Sequence, residues 1–206
     1  MAPVLFREAA LNIRRLRLVL RPWLLPAKPA VNAVRRWRRR VVYIRDGIEG
    51  IAMELRRTID CAPLLREYGA IVGERATIYG PLHVMNAAGD FSNLTIGHDV
   101  YIGTDVLIDL ADRVTIGDYV SLGMRSNLIT SFDVGAGPLK ERRPRKQGPI
   151  VIGAATYVGT NVTVLHGVTI GEQATVGAHC LIRKDVAPGA TMVSEQAREF
   201  EAGGKA

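Results

Sequence analysis

Residues able to move a proton or hold a metal are few in this chain, and they are scattered. The four histidines fall at positions 83, 98, 166 and 179. An imidazole can act as a general base near neutral pH, but a metal site needs three or four ligands brought together. These four form no cluster, and Cys61 and Cys180 stand in no metal or redox spacing, so no metal is expected. Two cysteines are also too few for a disulfide framework and fit a reducing compartment. The remaining polar chemistry gathers in one stretch, LITSFDVGAGPLKERRPRKQGPIVIG, residues 128–153. It carries Ser131, Asp133 and a run of basic residues, and no histidine occurs between His98 and His166. A carboxylate such as Asp133 can take a hydroxyl proton if burial raises its pKa toward neutrality.

The elements that must position these residues are legible as a six-residue period. Counting in sixes from Val72 meets Val72, Ile78 and Val84, then Ile96, Ile102 and Ile108. After a slip of two the phase resumes at Ile116, Leu122 and Leu128, and after a longer gap it runs through Ile152, Val158, Val164, Ile170, Val176 and Ile182. All fifteen marked residues are Val, Ile or Leu, and nine of them precede a glycine. An amphipathic helix would repeat every three to four residues, and an ordinary strand would alternate without break.

A six-residue period with turn formers reads as a solenoid of short strands. One aliphatic per hexapeptide points inward, and Gly, Asn or Asp accepts the positive φ of the corner that follows. Three faces make an 18-residue coil, and fifteen hexapeptides make five coils. With Val72 on face one, the interruptions after Val84 (85–95), after Ile108, and after Leu128 (129–149) all leave from the corner between faces three and one. Long loops in a compact domain are usually functional. Aromatics are only 6% of the chain, so the core must be aliphatic.

The segment IVIGAATYVGTNVTVLHGVTIGEQATVGAHCLIRKDV, residues 150–186, resembles the closing coils of the hexapeptide-repeat acyltransferases of the galactoside and maltose O-acetyltransferase type. The resemblance covers roughly residues 70–190. It implies a mainly β fold: a left-handed parallel β-helix, with one extruded loop and a basic helical region before it. It also implies acyl transfer from an acyl-CoA co-substrate, acetyl-CoA or another, to a hydroxyl, in a site built between subunits of a homotrimer. The family's base is a histidine in the loop that corresponds to 129–149, and this chain lacks it. Ungapped counting puts Asp133 at that place, and alignment on Thr130 and Asp133 puts Ser131 there. The same resemblance lays the pantetheine arm along Thr160 and Ala178, sets Tyr157 where relatives carry tryptophan, and matches Arg183 and Lys184 to the CoA phosphates. Asp105 and Arg125, in earlier coils of that corner, match the acceptor end.

Among the histidines, His166 shares the corner of the extruded loop, and His83 occupies an outward strand position beside the 85–95 insertion. Each reads as a surface residue or as a substitute base. His98 reads as surface, and His179 as a cofactor neighbour.

Residues 1–69 differ in kind. Ala9, Ile13, Leu16 and Leu20 suggest one helix, Val31, Val34, Trp37 and Val41 a second, and Ile48, Ile51, Leu55 and Ile59 a third that caps the open solenoid. The net charge of +7 divides unequally: residues 1–45 hold twelve Lys/Arg and one acid (+11), the rest fifteen bases and nineteen acids (−4). Arginines interrupt every apolar run near the N-terminus, which argues against a signal peptide, and no stretch reaches the roughly 20 apolar residues of a membrane span. A basic arm with amphipathic helices fits attraction to anionic lipid. The expected address is therefore cytoplasmic, at the inner membrane face, and the acceptor a sugar or lipid-linked glycan. No nucleic-acid module accompanies the charge. The boundaries expected are 1–69, 70–187 with its loop 129–149, and a tail 188–206. The other reading is a β-helix scaffold or binding protein disabled by loss of the loop histidine.

Overall fold

A computed structural model describes residues 28–194. The helix expected over Ala9–Leu20 lies outside these residues. Helix α1 (Lys28–Leu55) leaves helical geometry at Gly47, where φ is 64° and ψ −157°. The chain divides into two compact units at Arg45 and Asp46, where the basic segment ends. In the first unit Val34, Trp37, Val41 and Ile44 are exposed, among Arg35, Arg36, Arg38, Arg39 and Arg40. No helix among the described residues is long and apolar enough to cross a membrane.

In the second unit Ile48, Ile51 and Leu55 are buried. Helix α1 stops at Leu55, so Ile59 falls outside it and is 81% exposed, contrary to the sequence expectation. A short helix α2 (Ala62–Glu67) supplies the other part of the cap with buried Leu64 and Leu65. The cap is stitched to the first coil by backbone bonds, Cys61 N–H to Ile78 C=O at 2.9 Å and Gly80 N–H to Ile59 C=O at 3.0 Å. Burial, with Asp60 beside it, pushes the Cys61 thiol up to about 12, which leaves it inert as a nucleophile at neutral pH.

From Ile71 the chain is a parallel β-helix. Face one stacks β1 (Ile71–Val72), β4 (Leu94–Ile96), β7 (Val114–Ile116), β12 (Ile150–Ile152) and β15 (Thr169–Ile170). Face two stacks β2 (Thr77–Ile78), β5 (Tyr101–Ile102), β8 (Ser121–Leu122), β13 (Tyr157–Val158), β16 (Thr175–Val176) and β18 (Thr191–Met192). Face three stacks β3 (Leu82–Met85), β6 (Val106–Asp109), β9 (Asn127–Ile129), β14 (Thr163–Leu165) and β17 (Leu181–Ile182). Each marked aliphatic pairs in register with the next on its own face, as Val158 does with Leu122 and Val176. Strand β18 carries the ladder past residue 187.

Fourteen of the fifteen marked residues are buried, and Val72 is half-buried in the first coil. Two details differ from the sequence reading. Past the first two, each hexapeptide buries two residues rather than one: the position two before the marked aliphatic also points inward, as Leu94, Val106, Val120 and Val162 do. That second position admits Ser126, Thr156 and Cys180, so it carries no clean apolar signal. The polar members bond across coils, Ser126 Oγ donating to Gly159 C=O at 3.0 Å.

The glycines have a different cause from the one expected. Positive φ falls two residues after the glycine, on Asp99, Asp105, Tyr119, Arg125, Ala155, Asn161, Gln173 and His179, with φ between 55° and 62°. The glycine is required because coils touch there. A Cβ on Gly123 would sit 2.6 Å from the carbonyl carbon of Gly159, closer than carbon atoms can pack. Such glycines mark only the two tight corners, and no face-three aliphatic precedes one.

The 85–95 insertion is anchored rather than free. Phe91 is fully buried, and its N–H donates to Tyr68 C=O at 2.8 Å. The 129–149 loop leaves as expected, on a two-stranded antiparallel stem of β10 (Ser131–Phe132) and β11 (Lys146–Gln147), with a helical turn α3 (Leu139–Arg142) at its exposed end.

Candidate active site along the corner between faces two and three

The corner that follows face two repeats in every coil. Backbone bonds run Arg125 N–H to Thr104 C=O, Asn161 N–H to Met124 C=O, and His179 N–H to Thr160 C=O, at 2.9 to 3.0 Å. Thr104, Met124, Thr160 and Ala178 therefore form one ladder, and Asp105, Arg125, Asn161 and His179 the next. Thr160 and Ala178 stack as expected, but Asp105 and Arg125 stand one residue over, in line with Asn161 and His179. The second ladder is the positive-φ row, which tips its side chains out of the corner.

At the C-terminal end Ala178 is exposed, and Thr160 is half-buried. Small side chains leave the backbone open to an extended ligand. Asn161 Nδ2 and His179 Nε2 lie 3.4 Å apart beside it. Tyr157, about half exposed, opens outward on face two three residues before Thr160. Arg183 and Lys184 are exposed but sit beyond β17, one strand from the Ala178 corner. Their turn is held by Asp185 Oδ1, which accepts the Thr169 N–H at 2.8 Å.

At the N-terminal end Asp105 Oδ1 lies 3.5 Å from His83 Nε2. His83 projects outward from β3, with its neighbours Leu82 and Val84 buried. No other histidine has a ring nitrogen within ion-pair distance of a carboxylate among the described residues. His98 uses Nδ1 to accept the Glu74 N–H at 3.1 Å on a different corner. His166 shares the corner of the loop, half-buried.

The root of the extruded loop holds a buried polar knot that sequence reasoning missed. Asp109 is 3% exposed. Its Oδ2 accepts from Ser131 Oγ at 2.6 Å, and its Oδ1 accepts from Asn86 Nδ2 at 2.7 Å and the Ala111 N–H at 3.1 Å. Burial alone would raise this carboxyl, but the hydrogen bonds from Ser131, Asn86 and Ala111 outweigh it and hold the group below the usual carboxylate range. Asp109 is the one marked aliphatic's successor that is acidic, and that was the available signal. Ser131 is thus committed to the knot. Asp133 is exposed, and its Oδ1 accepts the Gly135 N–H at 2.8 Å as a turn former. The burial that would tune it as a base is not present within one chain.

Residues 149–184 match the description "bacterial transferase hexapeptide (six repeats)". The β-helix shares the left-handed hexapeptide-repeat fold of the solved acetyltransferase it resembles. The chain is 30% identical over 125 residues to the galactoside O-acetyltransferase of Escherichia coli K12, covering 61% of this chain and 60% of that one. It is 30% identical over 123 residues to an Escherichia coli K12 protein named for colanic acid biosynthesis acetyltransferase activity, covering 60% and 64%. This chain thus spans under two thirds of the length of these relatives. Among solved structures, the hexapeptide-repeat acetyltransferase of Vibrio cholerae O1 biovar eltor in complex with acetyl coenzyme A is 26% identical. It superposes with a TM-score of 0.58 over 68% of this chain and 76% of that one.

Proposed function

We propose that this hexapeptide chain is a CoA-dependent O-acyltransferase that moves an acetyl or similar short acyl group to a hydroxyl of a sugar or lipid-linked glycan. One observation carries the reading: the open ladder Thr104, Met124, Thr160 and Ala178, with the cations Arg183 and Lys184 near one end and the polar group of Asp105, Arg125 and His83 at the other. A long thioester laid on that ladder meets positive charge where its phosphates lie and proton-transfer groups where its acyl carbon lies. The name of the Vibrio neighbour, which includes acetyl coenzyme A, and the galactoside and colanic acid names of the curated relatives support the donor and the sugar class. Tyr157 would flank the donor.

The site is read as shared between subunits of a cyclic homotrimer, because the faces and the extruded loop present exposed apolar residues such as Phe132, Leu139, Tyr101 and Tyr157. Residues 1–45, of which 30–45 expose arginines and apolar side chains together, are read as an arm that meets an anionic membrane at the cytoplasmic face. The test is thiol release from acetyl-CoA with a panel of mono- and oligosaccharide acceptors. Acceptor-dependent release supports the enzyme. Tight CoA binding without release on any acceptor would favour the disabled scaffold, which the absence of a loop histidine motivates.

A further inference from the structure

We propose that His83, held by Asp105, is the general base that replaces the missing loop histidine. The inference rests on the acyltransferase reading above and names the residue that reading leaves open.

Position is the first support. Asp105 occupies the same corner ladder as Asn161 and His179, three coils below His179. At roughly 4.8 Å between neighbouring strands this is about 14 Å, a span that an extended pantetheine arm covers. A donor with its phosphates near Arg183 and its arm along Ala178 and Thr160 delivers its acyl carbon to the Asp105 end. His83 stands there, on the preceding coil and on the outward side of face three.

Chemistry is the second support. His83 is 32% exposed and Asp105 47%, so an acceptor can reach both, and neither is spent on the core. With Nε2 turned to Asp105, the proton on the neutral ring sits on Nε2 and leaves Nδ1 as the acceptor. The carboxylate fixes that tautomer and stabilises the imidazolium that forms, as in other carboxylate–histidine pairs. A contact of 3.5 Å is long for the free protein, but catalytic hydrogen bonds commonly tighten only with substrate in place. The candidates on the loop offer less. Ser131 donates to buried Asp109, and Asp133 closes a turn on Gly135.

The step balances without another reactant. The acceptor oxygen bonds to the thioester carbonyl carbon as its proton passes to His83 Nδ1. The carbon–sulfur bond then breaks with its electron pair on sulfur, and the proton returns from Nδ1 to that sulfur. The products are the ester and the free thiol.

The test uses the full chain, acetyl-CoA and whichever acceptor of the panel supports the fastest thiol release. His83→Gln should lower kcat by about 10²–10⁴-fold, with CoA affinity by calorimetry within about twofold, since proton transfer does not contribute to ground-state binding. Exogenous imidazole should restore part of the rate to His83→Ala, which a merely structural role would not allow. Asp105→Asn should lower kcat more than it raises KM. The pair His83→Gln/Asp105→Asn should be little slower than His83→Gln alone, because the two act as a unit. Normal turnover by His83→Gln overturns the proposal and leaves the acyltransferase reading intact. Loss of turnover in Asp133→Asn beside a normal His83→Gln returns the role to the loop. No release by the parent on any acceptor overturns both readings together.

Discussion

Ser131 Oγ donates to Asp109 Oδ2 at 2.6 Å, across 22 residues of sequence. The bond ties the root of the extruded loop to the strand end of the preceding coil. Asn86, at the start of the 85–95 insertion, joins the same carboxylate at 2.7 Å. Two insertions that leave one edge of the solenoid are thus fastened to a single buried anion.

Asp109→Ala should therefore loosen both. Removing the acceptor leaves the Asn86 and Ser131 donors unpaired in a part-buried site, at about 1–3 kcal/mol. Chemical denaturation should register that loss, and trypsin should cut the Lys/Arg-rich loop at 140–146 faster than in the parent. Equal cleavage rates would mean that the stem β10–β11 holds the loop unaided.

The same carboxylate predicts an acid dependence. Its folded pKa is depressed, so the stability it contributes is complete above the unfolded value of about 3.9 and fades as pH falls through the lower folded value. The gap in Tm between the parent and Asp109→Asn should be constant from neutral pH to about pH 5 and close progressively below pH 4. A gap that widens on acidification would show that the sign of the shift is wrong.

Gly123 and Gly137 should respond oppositely to alanine. A Cβ at Gly123 meets the Gly159 backbone at 2.6 Å, whereas nothing lies within 4 Å at Gly137. Gly123→Ala should cost about 1–3 kcal/mol through forced separation of two coils, and Gly137→Ala should stay within about 0.5 kcal/mol. Urea denaturation of the two variants checks this directly.

Ala178 is the most economical probe of the donor corner. Being exposed, it can become Trp with little change in Tm, yet the ring would fill the corner on which the pantetheine arm is read to lie. CoA affinity should fall at least about tenfold, or 1.4 kcal/mol. Undiminished binding would move the donor off this ladder.

Sequence alone determined the solenoid here, because a period of six is a local property written at every turn. Fifteen aliphatics in phase can share one interior only if the chain coils, and the phase assigned every coil strand but β18 to its face. It also placed all three insertions on one edge, and Thr160 in one stack with Ala178. What it did not determine were contacts that depend on side-chain reach between coils. The interruptions change the number of residues per coil, so the spacing from Asp109 to Ser131, or from His83 to Asp105, is not a multiple of the period and leaves no trace in it. The second inward position was hidden for a related reason: Ser126, Thr156 and Cys180 are buried there, and the two hydroxyls are satisfied by bonds to Gly159 and Gly171 that exist only once coils stack. Glycine's role was misassigned because composition reports that the residue is small, while only the tertiary structure reports whether smallness is needed for φ or for the backbone of the next coil. Asp133 and His83 separate on the same ground. Their titratable groups were visible in the chain from the start, but which of them faces a carboxylate on the donor corner and which closes its own turn was decided by the stacking.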